Sequence, residues 1–186
     1  MNLWRTLAIA AAGAAAGALC AWLVSAGLRP PEGTGCTVSA TREVAFSTPN
    51  DRVTAEARGP ACDKLAAVLT IRAADGVLLW TYAAPADWLA PDMLGAGATR
   101  TAAVNAMADW AQVSAQTTAE FAPWPEAAPG AYVTSDMRTP FDREGYEDIR
   151  ARKLPVLCFA TGAQTTDCIF WDPQAGMAQL IYDAGL

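Results

Sequence analysis

Histidine is missing from all 186 residues. Its absence excludes Ser-His-Asp and Cys-His catalysis, imidazole metal sites and the usual switch near neutral pH. There is no G-x-S-x-G, no Walker A loop and no Cys-x-x-Cys pair. "GTGCTV" at 33–38 has two glycines of a dinucleotide fingerprint and lacks the third. Without histidine a zinc site would need four thiolates or carboxylates, and no D-x-D-x-D-G calcium loop occurs. No cofactor or metal is therefore expected. Clustered positive charge is also scarce, with Arg150-Ala-Arg152-Lys153 the one grouping that stands out. A nucleic-acid partner is not expected, nor adhesion to an anionic lipid surface.

One long stretch lacks charge altogether. From Leu7 to Leu28 there are 22 uncharged residues, preceded by Arg5. At about 1.5 Å of rise per residue, such a helix would span a hydrocarbon core of about 30 Å. Its Ala- and Gly-rich composition makes insertion marginal, and Val24-Ser25-Ala26 offers small residues where a signal peptidase cuts. Cys20, after Gly17-Ala18-Leu19, resembles a lipobox only loosely, because the residue before it is not small. Gly13 and Gly17 have the small-xxx-small spacing of paired membrane helices, which an Ala-rich run also produces by chance. Residues 1–28 are thus read as a hydrophobic helix serving as signal peptide or membrane anchor. Residues 29–35, with Pro30-Pro31, read as a linker, and 36–186 as a single exported domain. With Arg5 held inside, that domain faces away from the cytoplasm. It is expected either anchored to the inner membrane through residues 7–28, facing the periplasm, or secreted to the periplasm. Loss of residues 1–26 would leave 12 Lys+Arg against 19 Asp+Glu, an acidic balance that favours solubility.

Four cysteines follow the hydrophobic stretch: Cys36, Cys62, Cys158 and Cys168. An even count in an oxidising compartment suggests disulfides. Residues 36–62 read as two alternating strands around a turn near Pro49, with Cys36 and Cys62 equally far from it. The apolar faces pair best with a one-residue offset, which a bulge near Gly59-Pro60 could absorb. Residues 156–170 read as a hairpin centred on Ala163, with Cys158 and Cys168 symmetric about it. Both pairs, Cys36–Cys62 and Cys158–Cys168, are therefore expected to bridge the arms of their own hairpins.

Between these lie other patterned segments. "VLTIRAADGVLLWTY" reads as a hairpin with a two-residue Asp75-Gly76 turn. Its symmetric register sets Leu69, Ile71 and Ala73 against Tyr82, Trp80 and Leu78 on a core face. A short helix can start at Asp87. A longer one is expected from about Thr99 to Ala119, with a stripe at Ala103, Ala106, Met107, Trp110, Val113 and Ser114. A second is expected from a Thr139 cap, with Pro140 first inside, to Pro155. The third C-terminal strand follows a turn at 172–176. The expected fold is α+β: a mostly antiparallel sheet of β-hairpins, six or seven strands in two groups, with two inserted helices and two hairpin-bridging disulfides.

One catalytic option survives the absences. "FDREGYEDIR" gathers Asp142, Glu144, Glu147 and Asp148, and paired carboxylates are what glycosidases use. The spacings Glu147/Arg150 and Asp148/Arg152 equally fit ordinary helical ion pairs. Phe121, Trp124 and Tyr132, in the Pro-rich "EFAPWPEAAPGAY" stretch, are candidate partner-binding aromatics if exposed; otherwise they seal helix ends against the sheet. The expected function is a non-catalytic binding or accessory domain of the bacterial envelope, its partner an envelope protein or polymer. A carboxylate-dependent enzyme on envelope glycan and an inhibitor of a hydrolase are the alternatives.

Overall fold

The computed structural model describes residues 35–126 and 137–185. The hydrophobic stretch, the linker up to Thr34, and Tyr132 lie outside the described residues. Among the described residues no helix is long and apolar enough to cross a membrane.

Two antiparallel sheets carry the fold. The first is a meander of β1 (Cys36–Val44), β2 (Asp51–Ala61), β3 (Lys64–Arg72) and β4 (Leu78–Pro85), adjacent in that order. Three helices follow: α1 (Ala86–Leu89), α2 (Pro91–Leu94) and α3 (Arg100–Trp110). The second sheet holds β5 (Ser114–Thr117), β6 (Met137–Arg138), β7 (Pro155–Gly162), β8 (Thr165–Asp172) and β9 (Met177–Gly185), in the order β5-β7-β8-β9-β6. A short 3-10 turn (Thr118–Glu120) follows β5, and α4 (Arg143–Ala151) precedes β7. This is a mixed α+β, mostly-sheet fold with both disulfides formed, Cys36–Cys62 and Cys158–Cys168.

The first sheet follows its alternating pattern. Val53, Ala55 and Ala57 on β2, and Leu65, Ala67, Leu69 and Ile71 on β3, are buried on one face. Small side chains at the centre of this face meet α3 through its own Ala103 and Ala106, so helix and sheet approach closely. Each β-turn of this sheet is fixed by a particular residue. Asp51, fully buried, accepts hydrogen bonds from the Ser47 and Thr48 amides and from both hydroxyls, closing the turn between β1 and β2. Gly59 lies so close to the Lys64 carbonyl that any Cβ would overlap it, and the register between β2 and β3 shifts just there. The irregularity near Gly59-Pro60 thus belongs to the β2–β3 pairing; the β1–β2 ladder, where the sequence leads one to expect the bulge, runs without a shift because its register sets Cys36 against Gly59 and not against Cys62. The β1–β2 register pairs Cys36 with Gly59, so Cys62 sits in the β2–β3 turn and its disulfide ties that turn to the start of β1.

The turn at Asp75-Gly76 differs from expectation. The Ala73 amide donates to the Val77 carbonyl at 2.9 Å, enclosing three residues, and Gly76 takes φ +92°. This is the three-residue hairpin loop that wants glycine in the left-handed region. Leu69 still faces Tyr82 and Ile71 faces Trp80, but Leu78 pairs with Arg72 and is half exposed, not core.

The second sheet is buried on both faces. Along β7, Leu157 and Phe159 join the first sheet and α3, while Val156 and Cys158 join the cluster under α4. On β8, Ile169 and Phe170 divide in the same way. Such strands read as near-continuous apolar runs. Cys158 and Cys168 stand directly opposite each other, with Cα atoms 4.1 Å apart.

Two helices are bounded differently from the sequence expectation. The α3 helix starts as expected, with the Thr99 hydroxyl accepting from the Ala102 amide at 3.2 Å, but stops at Trp110. Residues 114–117 instead pair with β7, so Val113 and Ser114 are not on a helix. The α4 helix is capped by Asp142, not Thr139: its Oδ1 accepts from the Gly145 amide at 2.8 Å. An aspartate reaching the third helical amide satisfies one orphan donor of the first turn. That leaves Thr139 buried ahead of the helix, where its hydroxyl accepts from the Phe141 amide.

Candidate functional site

The β5 strand covers only part of the β7 edge, because its pairing runs from Pro155 to Cys158. Beyond Cys158, β7 continues to Gly162 with no strand on that flank among the described residues. The last residue of α3 fills the gap: the Trp110 indole N–H donates to the Ala160 carbonyl at 2.9 Å. From the first sheet, the Tyr82 hydroxyl donates to the Thr161 carbonyl at 2.9 Å. These two aromatics pack edge-on, and Tyr82 also lies against Phe159.

Where α3 ends and β5 begins, this arrangement leaves a groove of about 370 Å³. Its floor is Met107, Trp110 and Phe159, all buried, and its wall is Leu89 and Met93 on α1 and α2. Asp109, Gln112 and Thr166 stand at its polar rim. Trp88, beside that wall in sequence, is 64% exposed. The volume falls within the range of ligand pockets, roughly 300–1,000 Å³. The groove holds no nucleophile paired with a base. Its chemistry is that of apolar contact with a few polar contacts at the edge. Sequence periodicity assigned Trp110 and Phe159 to the core, and they are core; that they also floor an opening follows from where β5 stops.

A second feature lies one residue beyond the groove. Asp167 and Asp183 are directly opposite on β8 and β9. Burial pushes the Asp167 carboxyl above its usual value, and the Asp183 charge adds to this, while the Thr161 hydroxyl acts in the other direction. Burial, and then Asp167, push the Tyr82 phenol up as well. Among the described residues no group of His, Cys, Asp and Glu could hold a metal ion.

The carboxylates singled out from the sequence are divided by the fold. Asp142 caps α4. Glu147 accepts from the Trp124 amide at 2.6 Å and pairs with Arg150. Burial raises the Glu147 carboxyl, but the Trp124 amide, Arg150 and Arg143 together hold it below its usual value. It is therefore an anion held by partners, the opposite of a poised general acid. Glu144 and Asp148 are exposed on the same helix.

The aromatic candidates are likewise placed differently from one another. Phe121 is 6% exposed and sets its ring edge-on to Tyr182, so it is not available at the surface. Trp124 is half-buried, edge-on to Tyr146. The segment they share is strapped to α4. The Tyr146 hydroxyl donates to the Ala122 carbonyl at 3.0 Å and Arg150 Nε to the Phe121 carbonyl at 3.0 Å. Upstream, the fully buried Thr118 hydroxyl donates to the Ile149 carbonyl at 2.7 Å and accepts from the Leu154 amide at 3.0 Å. Tyr146 is fully buried, which pushes its phenol up to about 12.

No protein-family model matches the chain, and comparisons with curated proteins and with solved structures return no similar protein.

Proposed function

We propose that this chain is an exported envelope domain that works by binding a partner, without turnover, and that the groove floored by Trp110 receives that partner. The groove carries the reading: it is an apolar opening with a polar rim, set where the end of a helix meets a sheet. Two disulfides in a chain of this size favour an oxidising, extracytoplasmic compartment. This supports a periplasmic site, with residues 7–28 tethering the domain to the inner membrane if they are retained. The acidic balance is in keeping with an envelope protein or polymer as partner, and not with nucleic acid. Turnover by the 142–148 carboxylates has less support, because Asp142 and Glu147 are committed to holding a helix and a loop.

Photo-crosslinking in cells tests the reading. A photoreactive side chain replaces Gln112 at the groove rim, or Thr70 on the outer face of the first sheet. Adducts from position 112 with none from position 70 are expected. Adducts from position 70 alone, or equally from both, would place binding elsewhere.

A further inference from the structure

The charges on α3 run against its dipole. A helix favours anions in its first turn and cations in its last. Here Arg100 opens the helix and Asp109 stands in its final turn, with no acidic residue in the first turn and no basic one in the last. Arg100 has a local reason, since its guanidinium donates to the Thr37 carbonyl at 2.9 Å. Asp109 has none. It is exposed, and its carboxylate makes no hydrogen bond or ion pair among the described residues. A residue that breaks a local rule without a stabilising gain points to function. Asp109 is also the charged residue on the groove rim.

Its surroundings have the same sign. The segments that build the groove are 86–94, 100–114 and 158–166. They carry Asp87, Asp92 and Asp109, with Arg100 as their one cation. Arg100 lies nine positions before Asp109, about 14 Å along the helix at 1.5 Å per residue. Asp87 and Asp92 are exposed on the two short helices of the wall. This field repels fatty-acid carboxylates and anionic lipid headgroups. It attracts a cation. Two methionines in the floor and wall suit adaptable contact with apolar side chains.

Building on the reading of the groove as the binding site, we infer that its occupant is a basic amphipathic segment of a partner protein. Apolar side chains of that segment enter over Met93, Met107 and Trp110. Its Lys or Arg residues meet Asp109 at the rim, with Asp87 and Asp92 on the wall helices adding charge of the same sign outside the lining. Asp109 is the specificity determinant, kept despite its unfavourable place on the helix.

The test uses three synthetic probes on the disulfide-intact protein: an amphipathic Leu/Lys peptide, its Leu/Glu counterpart, and neutral phosphatidylcholine vesicles. Tryptophan emission and calorimetry report binding. The Leu/Lys peptide should bind at least about tenfold more tightly than the Leu/Glu peptide, the scale of one misplaced charge pair. Asp109→Lys should raise the melting temperature slightly, because it corrects the dipole, while reversing the order of the two peptides. Met93→Gln should weaken the Leu/Lys peptide without reversing the order. If both peptides bind equally and Met93→Gln weakens both, the groove is the site and the basic partner is wrong. If Met93→Gln changes nothing, or no peptide binds while the vesicles do, the groove reading falls and this inference with it. An Asp109→Lys protein that melts lower and binds as wild type would make Asp109 a structural residue and overturn the assignment.

Discussion

The two sheets solve the same problem in different ways. The first buries one face, and its other face offers Thr41, Thr54, Thr70 and Thr81 in one row across four strands. The second buries both faces, one against the first sheet and α3, the other under α4 and the strap from Thr118 to Trp124. The first is fixed by turn chemistry, with Asp51, Gly59 and Gly76 each dictating a bend. The second is fixed by what lies above and below it. Local chemistry thus organises one half of the domain, and long-range packing the other.

Substitutions can break that contrast. Phe170 and Thr70 occupy the faces of the two sheets that point away from their shared core. Phe170→Ala should cost about 3–5 kcal/mol, whereas Thr70→Ala should stay within about 0.5 kcal/mol. Urea unfolding of the two variants measures this; comparable losses would mean that the outer face of the first sheet is also covered. The disulfides differ less. Loop-closure entropy assigns about 3.5 kcal/mol to the link across 26 residues in the first sheet and about 2.7 to the link across 10 in the second. Double Cys→Ala variants should rank in that order by thermal melting. If the Cys158–Cys168 variant loses more, burial among the residues under α4 outweighs chain entropy.

Two aspartates sharpen the comparison through pH. Burial raises the Asp51 carboxyl, but four hydrogen bonds from Thr48 and Ser47 more than reverse this, so it lies below its usual value. Its contribution to stability is present above the usual carboxylate range and is lost as pH falls through the lowered value. Asp51→Asn should cost about 1.5–3 kcal/mol at neutral pH, by removing charged hydrogen bonds. Asp167 behaves in the opposite way. Its raised value makes the folded state hold the proton more tightly, so its contribution is present below the usual range and is lost as pH rises through the raised value. Asp167→Asn should therefore gain stability relative to wild type on going from acid to neutral pH. Melting curves across that range decide; parallel pH profiles for the two variants would contradict the opposed signs. One more effect lies outside both sheets. Lys153 follows α4 with φ +52°, a conformation that costs a side chain about 1 kcal/mol. Lys153→Gly should recover up to about that much.

Legibility from sequence follows the same division. The alternation in β1 to β4, both disulfide pairs and the α3 stripe as far as Trp110 come from short-range periods of two and 3.6. What could not be read depended on distant partners. β5 is a strand because β7 has an edge to fill, 41 positions from Ser114 to Pro155. Phe121 and Trp124 sit in a Pro-rich run that resembles an exposed loop until α4 reaches them with Tyr146, Glu147 and Arg150. The Asp167/Asp183 pair needs the β8–β9 register to become visible. The groove is still less legible, because every apolar residue lining it satisfies a core pattern as well. One local signal was present: an aspartate in the last turn of a helix, with no cation nearby to answer it.

An open strand edge is an invitation to further strands, and the indole of Trp110 has a consequence for self-assembly. By taking the Ala160 carbonyl, it denies that position to an extra strand, which would otherwise extend β5 along β7 toward Gly162. At that position the β7 edge has no free acceptor to offer an incoming strand. Trp110→Phe would keep the aromatic ring and lose the N–H, returning the Ala160 carbonyl to that edge; light scattering of the concentrated variant against the wild type measures how much self-association follows.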